Sequence, residues 1–419
     1  MTEPSPGGAG ASLDIDGLSL ERIREARGRI RGGVLLTACS ESLAFADLTG
    51  ARVHLKLESM QRTGSFKERG ALNRLLVASP DERARGVVTM SAGNHAQALA
   101  FHARRLDIAA TVVMPVVTPL VKISRTRALG ATVIQHGSTL DDAAVECRRL
   151  MERDGLTLVH PFDDDDVIAG QGTIGLELAE QVPDLATVVV PIGGGGLISG
   201  IAIALKGLRP DVRVIGVEPE AAASARVSRD AGVRTLLPSV ETMADGVAVK
   251  QVGARTFPLI ERFVDDIVTV SEDEIASAIV LLLERERLVV EGAGAVGVAA
   301  LASGKVPMAD GDDVVVVISG GNIDINLVSR IIERGLSSDG RVVRLRVRVR
   351  DRPGALARLT QTVAAEGGNV LEVYHRRGFA DISVPDVEIV LHVETRGRDH
   401  AAQIVSALEG LGHRVESSF

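Results

Sequence analysis

Tryptophan is absent from this 419-residue chain, tyrosine occurs once, and aromatic residues make up only 2% of it. A core must therefore be built from Ala, Val, Leu and Ile, and stacking of nucleic-acid bases is excluded as a principal activity. Cysteine is almost as scarce, with only Cys39 and Cys147. Two thiols make neither a disulfide framework nor a metal-ligand cluster, and they read as reduced thiols of a cytoplasmic protein. No apolar run reaches the roughly 20 residues of a membrane span. Basic residues are outnumbered, 47 against 55 acidic, for a formal net charge of −8. That excludes a general nucleic-acid or anionic-membrane surface. The opening MTEPSPGGAGAS lacks the charged and apolar regions of a secretory signal, so residues 1–17 read as a disordered lead-in. What is plentiful is apolar residue, 45% of the chain, enough for the two or three cores that this length implies.

Between about residues 20 and 335, short β-rich runs alternate with helical patterns. The runs lie at 53–57, 86–90, 110–113, 132–134, 187–190, 213–217 and 313–318, and helices are expected at 96–105, 174–181 and 274–286. Several runs are apolar at consecutive positions, as strands buried on both faces of a parallel sheet are. The class is therefore α/β with open sheets, and ligands of such sheets sit at the carboxyl ends of strands. The four carboxylates Asp163 to Asp166 read as a solvated loop and not as a metal cage.

The texture changes near residue 336. Residues 337–341 read as a linker, and residues 341–350 then alternate strictly, with Leu345, Val347 and Val349 on one face and Arg344, Arg346, Arg348 and Arg350 on the other. That is a half-buried strand whose basic face is solvated. After it come a helix to about 366, strands from 370 and over 386–394, a helix from 400 to 411 and a last short strand. This βαββαβ order is the plan of a small α+β, ferredoxin-like domain over 342–419.

Four constellations follow apolar strands. Gly64-Ser65-Phe66-Lys67-Glu68-Arg69-Gly70 sets a lysine among small residues at the start of a helix. A helix N-terminus disfavours an ammonium and lowers the lysine pKa, which Schiff-base chemistry requires. Ser91-Ala92-Gly93-Asn94-His95 offers backbone N–H groups and a neutral amide suited to a carboxylate, while His95 by itself reads sooner as a satisfied core histidine than as a site residue. Gly193-Gly194-Gly195-Gly196 lets the backbone fold around an anion with a helix dipole behind it. It lacks both the Lys and Ser/Thr of a nucleotide P-loop and the spacing of a dinucleotide fingerprint. Ser319-Gly320-Gly321-Asn322 could equally be an ordinary turn.

Taken together and in this order, GSFKERG, SAGNHAQ, GGGG and SGGN resemble the threonine dehydratases (threonine ammonia-lyases) of pyridoxal-phosphate fold type II, over about residues 20–335. The resemblance implies a tryptophan-synthase-β-like catalytic domain over 18–336, with pyridoxal 5′-phosphate as cofactor and L-threonine or L-serine as substrate. Lys67 would be the Schiff-base lysine, Phe66 would lie beside the cofactor, and Asn94 would bond its 3′-oxygen. Gly193, Gly194, Gly195, Gly196 and Leu197 would cradle its phosphate, and Ser319 would face its pyridine nitrogen as a neutral partner that favours elimination. The substrate would meet Ser65, Ser91 with the loop Ala92, Gly93, Asn94 and His95, and Glu291 of the EGAGA stretch. From 342 the chain resembles an ACT domain, whose amino-acid effector would bind near Gly354, Ala355, Leu356 and Asn369. Paired ACT domains imply a homodimer or homotetramer.

Three departures from the family pattern bear on this reading. Ala92 replaces the hydroxyl that serine racemases of this fold carry there, Thr37 is followed by Ala38 where relatives often have Pro, and Ser224 stands where some relatives have a cation-binding Asp beside Glu218. No metal is expected. Competing readings are a serine racemase, a D-serine dehydratase or a cysteine or threonine synthase, and, from another class, an amino-acid sensor without catalysis.

Overall fold

The computed structural model describes residue 15, residues 17–377 and residues 385–418. They form two compact units. One runs to Ile275 and resumes over Leu282–Ile323, and the other comprises Ala276–Leu281 and the chain from Asp324. The expected lead-in lies outside the described residues, apart from Gly17 and from Ile15, which bridges to Leu18.

The first unit holds two open sheets. The larger has the order β1 (Cys39–Glu41), β2 (Arg52–Leu57), β10 (Asp313–Ile318), β7 (Leu185–Pro191), β8 (Arg213–Pro219) and β9 (Asp266–Val270). Every neighbouring pair is parallel except β1 with β2. The smaller sheet is wholly parallel, in the order β5 (Thr132–Gln135), β4 (Ala110–Met114), β3 (Val87–Met90) and β6 (Thr157–Leu158). All six residues of central β10 are buried, as its unbroken apolar run requires. The strands missing from the sequence reading are β1, β6 and β9. All three are short and stand at sheet edges, where few buried positions mark them.

Two expectations for this unit change. The helix expected from 174 begins at Asp165 and runs to Gln181. Gly170, Gly172 and Gly175 weaken the helical signal, but tertiary packing needs them. A Cβ at Gly170 would stand 2.6 Å from the Arg69 carbonyl oxygen, and one at Gly172 2.8 Å from that of Gly200. The helices Lys67–Val77 and Gly196–Leu208 thus pack on Asp165–Gln181 with backbone against backbone. The aspartate run is the start of this helix and not a solvated loop. Asp164 caps it by accepting from the N–H groups of Asp166 and Val167 at 2.8 and 3.0 Å. Asp163 accepts from the N–H groups of Ala254 and Arg255, and Asp165 and Asp166 pair with Arg255 and Arg22.

In the second unit, β11 (Val342–Arg350), β12 (Asn369–Arg376), β13 (Asp386–Glu394) and β14 (Arg414–Ser418) make an antiparallel sheet in the order β12, β13, β11, β14. Val343, Leu345, Val347 and Val349 face a core completed by Leu359 and Val363 of helix Ala355–Ala365 and by Ile404 and Leu408 of helix Arg398–Gly410. The arginines of β11 fall on the opposite face, as their alternation requires. The segment read as a linker differs from expectation. Ser337 and Ser338 are the last residues of a helix, Ile325–Ser338, and the chain re-enters this compact unit upstream of it, at Asp324. A run of Ser, Asp and Gly marks a helix end as readily as a linker.

Candidate active site

The lysine loop and the loop after β10 are zipped together. Ser65 bridges Gly320 in antiparallel fashion, the Phe66 N–H donates to the Ser319 carbonyl at 3.1 Å, and that of Gly321 donates to the Gly64 carbonyl at 2.9 Å. Lys67 opens its helix immediately beyond, and its Nζ donates to the Pro161 carbonyl oxygen at 2.7 Å while standing 5.0 Å from the centre of the Phe66 ring. Burial lowers the Lys67 amine from its ordinary 10.5 to about 8, against the opposing charge of Glu291. Ser319, 2% exposed, donates its hydroxyl to the Ala293 carbonyl at 3.3 Å.

Asn94 opens the helix Asn94–Arg105 at the carboxyl end of β3. Its Nδ2 donates to Glu291 Oε1 at 2.6 Å, and its Oδ1 accepts from Asn322 Nδ2 at 2.8 Å. Glu291 precedes the helix Gly292–Ala302 and is 4% exposed. Burial pushes its carboxyl up to about 7, helped by the charge of Asp245 and opposed by the Asn94 bond. Asp245 in turn holds Lys122 at 2.5 Å.

The glycine run joins β7 to the helix Gly196–Leu208. Gly195 has φ +91, and no side chain caps the helix. The N–H groups of its first turn are therefore free for an anion. The loop leaves no room for side chains. A Cβ at Gly194 would meet the Phe162 ring at 2.1 Å, and one at Gly195 would stand 2.7 Å from Thr256 Oγ1. Thr256 also pins the run by donating its hydroxyl to the Gly194 carbonyl at 2.6 Å.

Other expected site residues are placed differently. His95 is 2% exposed, its Nε2 donates to the Val159 carbonyl at 3.0 Å, and burial lowers it to about 3. It is a neutral core histidine, so only its backbone could face a ligand. Ser65 is wholly buried and its hydroxyl has no partner. Ser91, Ala92 and Gly93 remain partly open, with the Gly93 N–H on Ser91 Oγ at 3.3 Å. In the second unit, Gly354 has φ +84 at the start of helix Ala355–Ala365, followed by Ala355 and Leu356, while Asn369 Nδ2 donates to Glu394 at 2.9 Å. The Glu218 carboxylate accepts from the N–H groups of Ala225 and Arg226 at 2.9 and 2.8 Å. Among the described residues no group of three or more His, Cys, Asp or Glu is placed to hold a metal ion.

Sequence reasoning missed Pro161, Phe162, Asp245 and Thr256, which carry no local motif. It also missed a buried ionic cluster behind the lysine helix. Arg69 donates to both oxygens of Glu58, at 2.8 and 2.7 Å, and to both of Glu177, at 2.6 and 2.9 Å. Lys56 Nζ adds a bond to Glu177 at 2.5 Å, and the Thr37 hydroxyl one to Glu58 at 2.6 Å.

Residues 30–320 match the family of pyridoxal-phosphate dependent enzymes, and residues 343–413 match the ACT domain. An L-threonine ammonia-lyase of Thermotoga maritima is 47% identical over 398 residues, 95% of this chain and 99% of that protein. One of Geobacter sulfurreducens is 46% identical over 394 residues, 94% of this chain and 98% of that protein. Among solved structures, processed threonine deaminase isoform 2 of Solanum lycopersicum superposes with a TM-score of 0.73 at 38% identity, covering 79% of this chain and 90% of that one. Maize serine racemase gives 0.72 at 35%, covering 76% and 98%. The chain belongs to the family of pyridoxal-phosphate dependent enzymes and ends in an ACT domain.

Proposed function

We propose that the protein is a threonine ammonia-lyase that eliminates water from L-threonine, and from L-serine, giving 2-oxobutanoate or pyruvate and ammonia under control of an amino acid bound by the ACT domain. The observation that carries this reading is the 47% identity to an L-threonine ammonia-lyase along 95% of the chain. The site's chemistry supports it. An amine whose proton is loosened by burial, a side-chain-free anion loop and a neutral hydroxyl at Ser319 form a donor set that fits pyridoxal 5′-phosphate.

Bound there, the cofactor supplies an electron sink for the bond broken at the substrate Cα. The glycine run 193–196 and the N–H of Leu197 would hold its phosphate, Asn94 would donate to its 3′-oxygen, Ser319 would meet its ring nitrogen without charge, and Phe66 would flank it beside Lys67. Lys67 Nζ takes the Cα proton. Ser91 and the N–H groups of Ala92, Gly93, Asn94 and His95 hold the substrate carboxylate, while Ser65 backs the lysine loop and Glu291 fixes Asn94. The β-hydroxyl leaves as water with the proton taken from Cα, and the released amino-acrylic product is hydrolysed by a second water to the 2-oxo acid and ammonia. Ala92 carries no proton for the far face of Cα, so racemisation is minor. Gly354, Ala355, Leu356 and Asn369 bind the effector, and the enzyme works as a cytoplasmic homodimer or homotetramer.

The test is 2-oxo acid release from L-threonine and L-serine, with the cofactor's visible absorbance recorded first. Absorbance together with turnover of threonine ahead of serine supports the assignment. Absorbance without oxo acid from either substrate would move the protein to the racemase or synthase readings.

A further inference from the structure

Asn94 can serve as a hydrogen-bond donor in the cleft only if its amide is held one way round. The orientation follows from one backbone atom. The Thr63 carbonyl oxygen can only accept, and it lies 2.7 Å from Asn322 Nδ2. The nitrogen of the Asn322 amide is thereby fixed, and its second N–H is directed at Asn94, 2.8 Å away. Asn94 must then turn its oxygen to Asn322 and its nitrogen to Glu291, at 2.6 Å, with one N–H left over. The Asn322 amide lies close against Gly64, where a Cβ would stand 2.7 Å from Oδ1 and 3.0 Å from Nδ2, so position 64 must lack a side chain for this bond to form. Gly64 itself has φ +77. Asn322 thus ties together the loop after β10, the segment leading to Lys67 and the helix start after β3.

We infer that Asn322 is a positioning residue that sets the orientation of the Asn94 amide and keeps a donor aimed at the cofactor site. This deepens the proposed function and rests on Asn94 as a cofactor contact. Asn322 touches no reacting atom. It acts by directing two N–H groups, so an isosteric residue without a donor suffices to undo it. In Asn322→Asp an acceptor faces both the Thr63 carbonyl and Asn94 Oδ1. The Asn94 amide then relieves its part of the clash by turning over, its oxygen accepting from the protonated Glu291 carboxyl, and the donor in the cleft is replaced by an acceptor.

The test titrates apo-protein with pyridoxal 5′-phosphate and follows the visible absorption band, alongside threonine turnover. N322D is expected to bind cofactor roughly tenfold more weakly, the size of one hydrogen bond made or lost, with a displaced band and a modestly lower melting temperature of the apo-protein from the lost Thr63 bond. A double-mutant cycle of N94A with N322S supplies a second route that does not depend on the folding of N322D. If Asn322 acts through Asn94, the double variant binds cofactor within about twofold of N94A alone. Multiplied losses in the double variant, or an N322D protein with wild-type affinity and band beside an impaired N94A, overturn the inference and leave the cofactor contact standing. An N94A protein that binds cofactor as wild type does removes the contact itself, and the inference with it.

Discussion

Two buried polar networks lie on either side of Lys67, and they are built on opposite principles. Behind the lysine helix, two cations, Arg69 and Lys56, face two carboxylates, Glu58 and Glu177, and short bonds join each charge to its neighbours. Burial alone would raise the Glu58 carboxyl, but the Arg69 guanidinium outweighs it and holds that group below the ordinary range. The same pairing raises Arg69 despite its burial. In front, around Asn94, the partners are neutral amides and the ionisable groups are pushed toward neutrality, Lys67 down to about 8 and Glu291 up to about 7. The amide network surrounds two groups that burial has moved toward pH 7, whereas the network behind the helix pairs its charges. Side chains two residues apart, Lys67 and Arg69, therefore belong to different machines.

The comparison breaks most sharply at Lys67. Lys67→Ala should lower 2-oxo acid release from threonine by at least roughly a thousandfold, the scale of a lost general base, while the melting temperature stays near that of the parent. Arg69→Met should do the reverse. It strands Glu58 and Glu177 without their buried cation, and denaturant unfolding should register a loss of about 3–5 kcal/mol, with threonine turnover largely kept in the fraction that folds.

A pH series on apo-protein sharpens the contrast. Between the ordinary glutamate value of 4.5 and about 7, Glu291 binds a proton in the folded state more often than in the unfolded chain, so its contribution to stability falls as pH rises through that window. Glu291→Gln should flatten that slope in thermal melts from pH 4.5 to 7, whereas Glu58→Gln should leave it in place. The smallest effect is expected far from both networks. Asn369→Ala removes a donor to the exposed Glu394, so it should shift the concentration at which the responsive amino acid alters turnover by a few-fold, roughly the value of one exposed polar contact, and leave activity without effector unchanged.

Much of this was legible in the sequence because local rules and tertiary packing agree there. The strict alternation of β11 names its own buried face, and the unbroken apolar run of β10 declares a central strand. The motifs after β2, β7 and β10 share one sheet edge because parallel strands end on the same side, and Asn94 after β3 of the other sheet is tied to them through Asn322. Failures fall where packing overrides a local signal. Gly170 and Gly172 argue against a helix by propensity, yet the helix exists because they let its neighbours approach. Ser337 and Ser338 have the composition of a linker but terminate a helix. Pro161 and Phe162 reach the lysine amine and the glycine run from a loop with no pattern of its own, so only three-dimensional proximity reveals them. His95 sits in a motif beside true cleft residues, and nothing in its spacing tells that its ring points inward.

The backbone contacts among the three glycine-bearing helices have a metrical consequence. Lys67 and Gly196 are the first residues of two of those helices, and the third lies against both through Gly70 with Gly170 and Gly200 with Gly172. Backbone meets backbone at both crossings, with the Gln171 side chain bonded to the Gly70 N–H at one and Ile23 beside Gly172 at the other. The separation between the amine and the glycine loop is therefore gauged largely by peptide units, like a caliper with little play. One added methyl at Gly200 or Gly172 would reset that gauge without touching a single residue of the site.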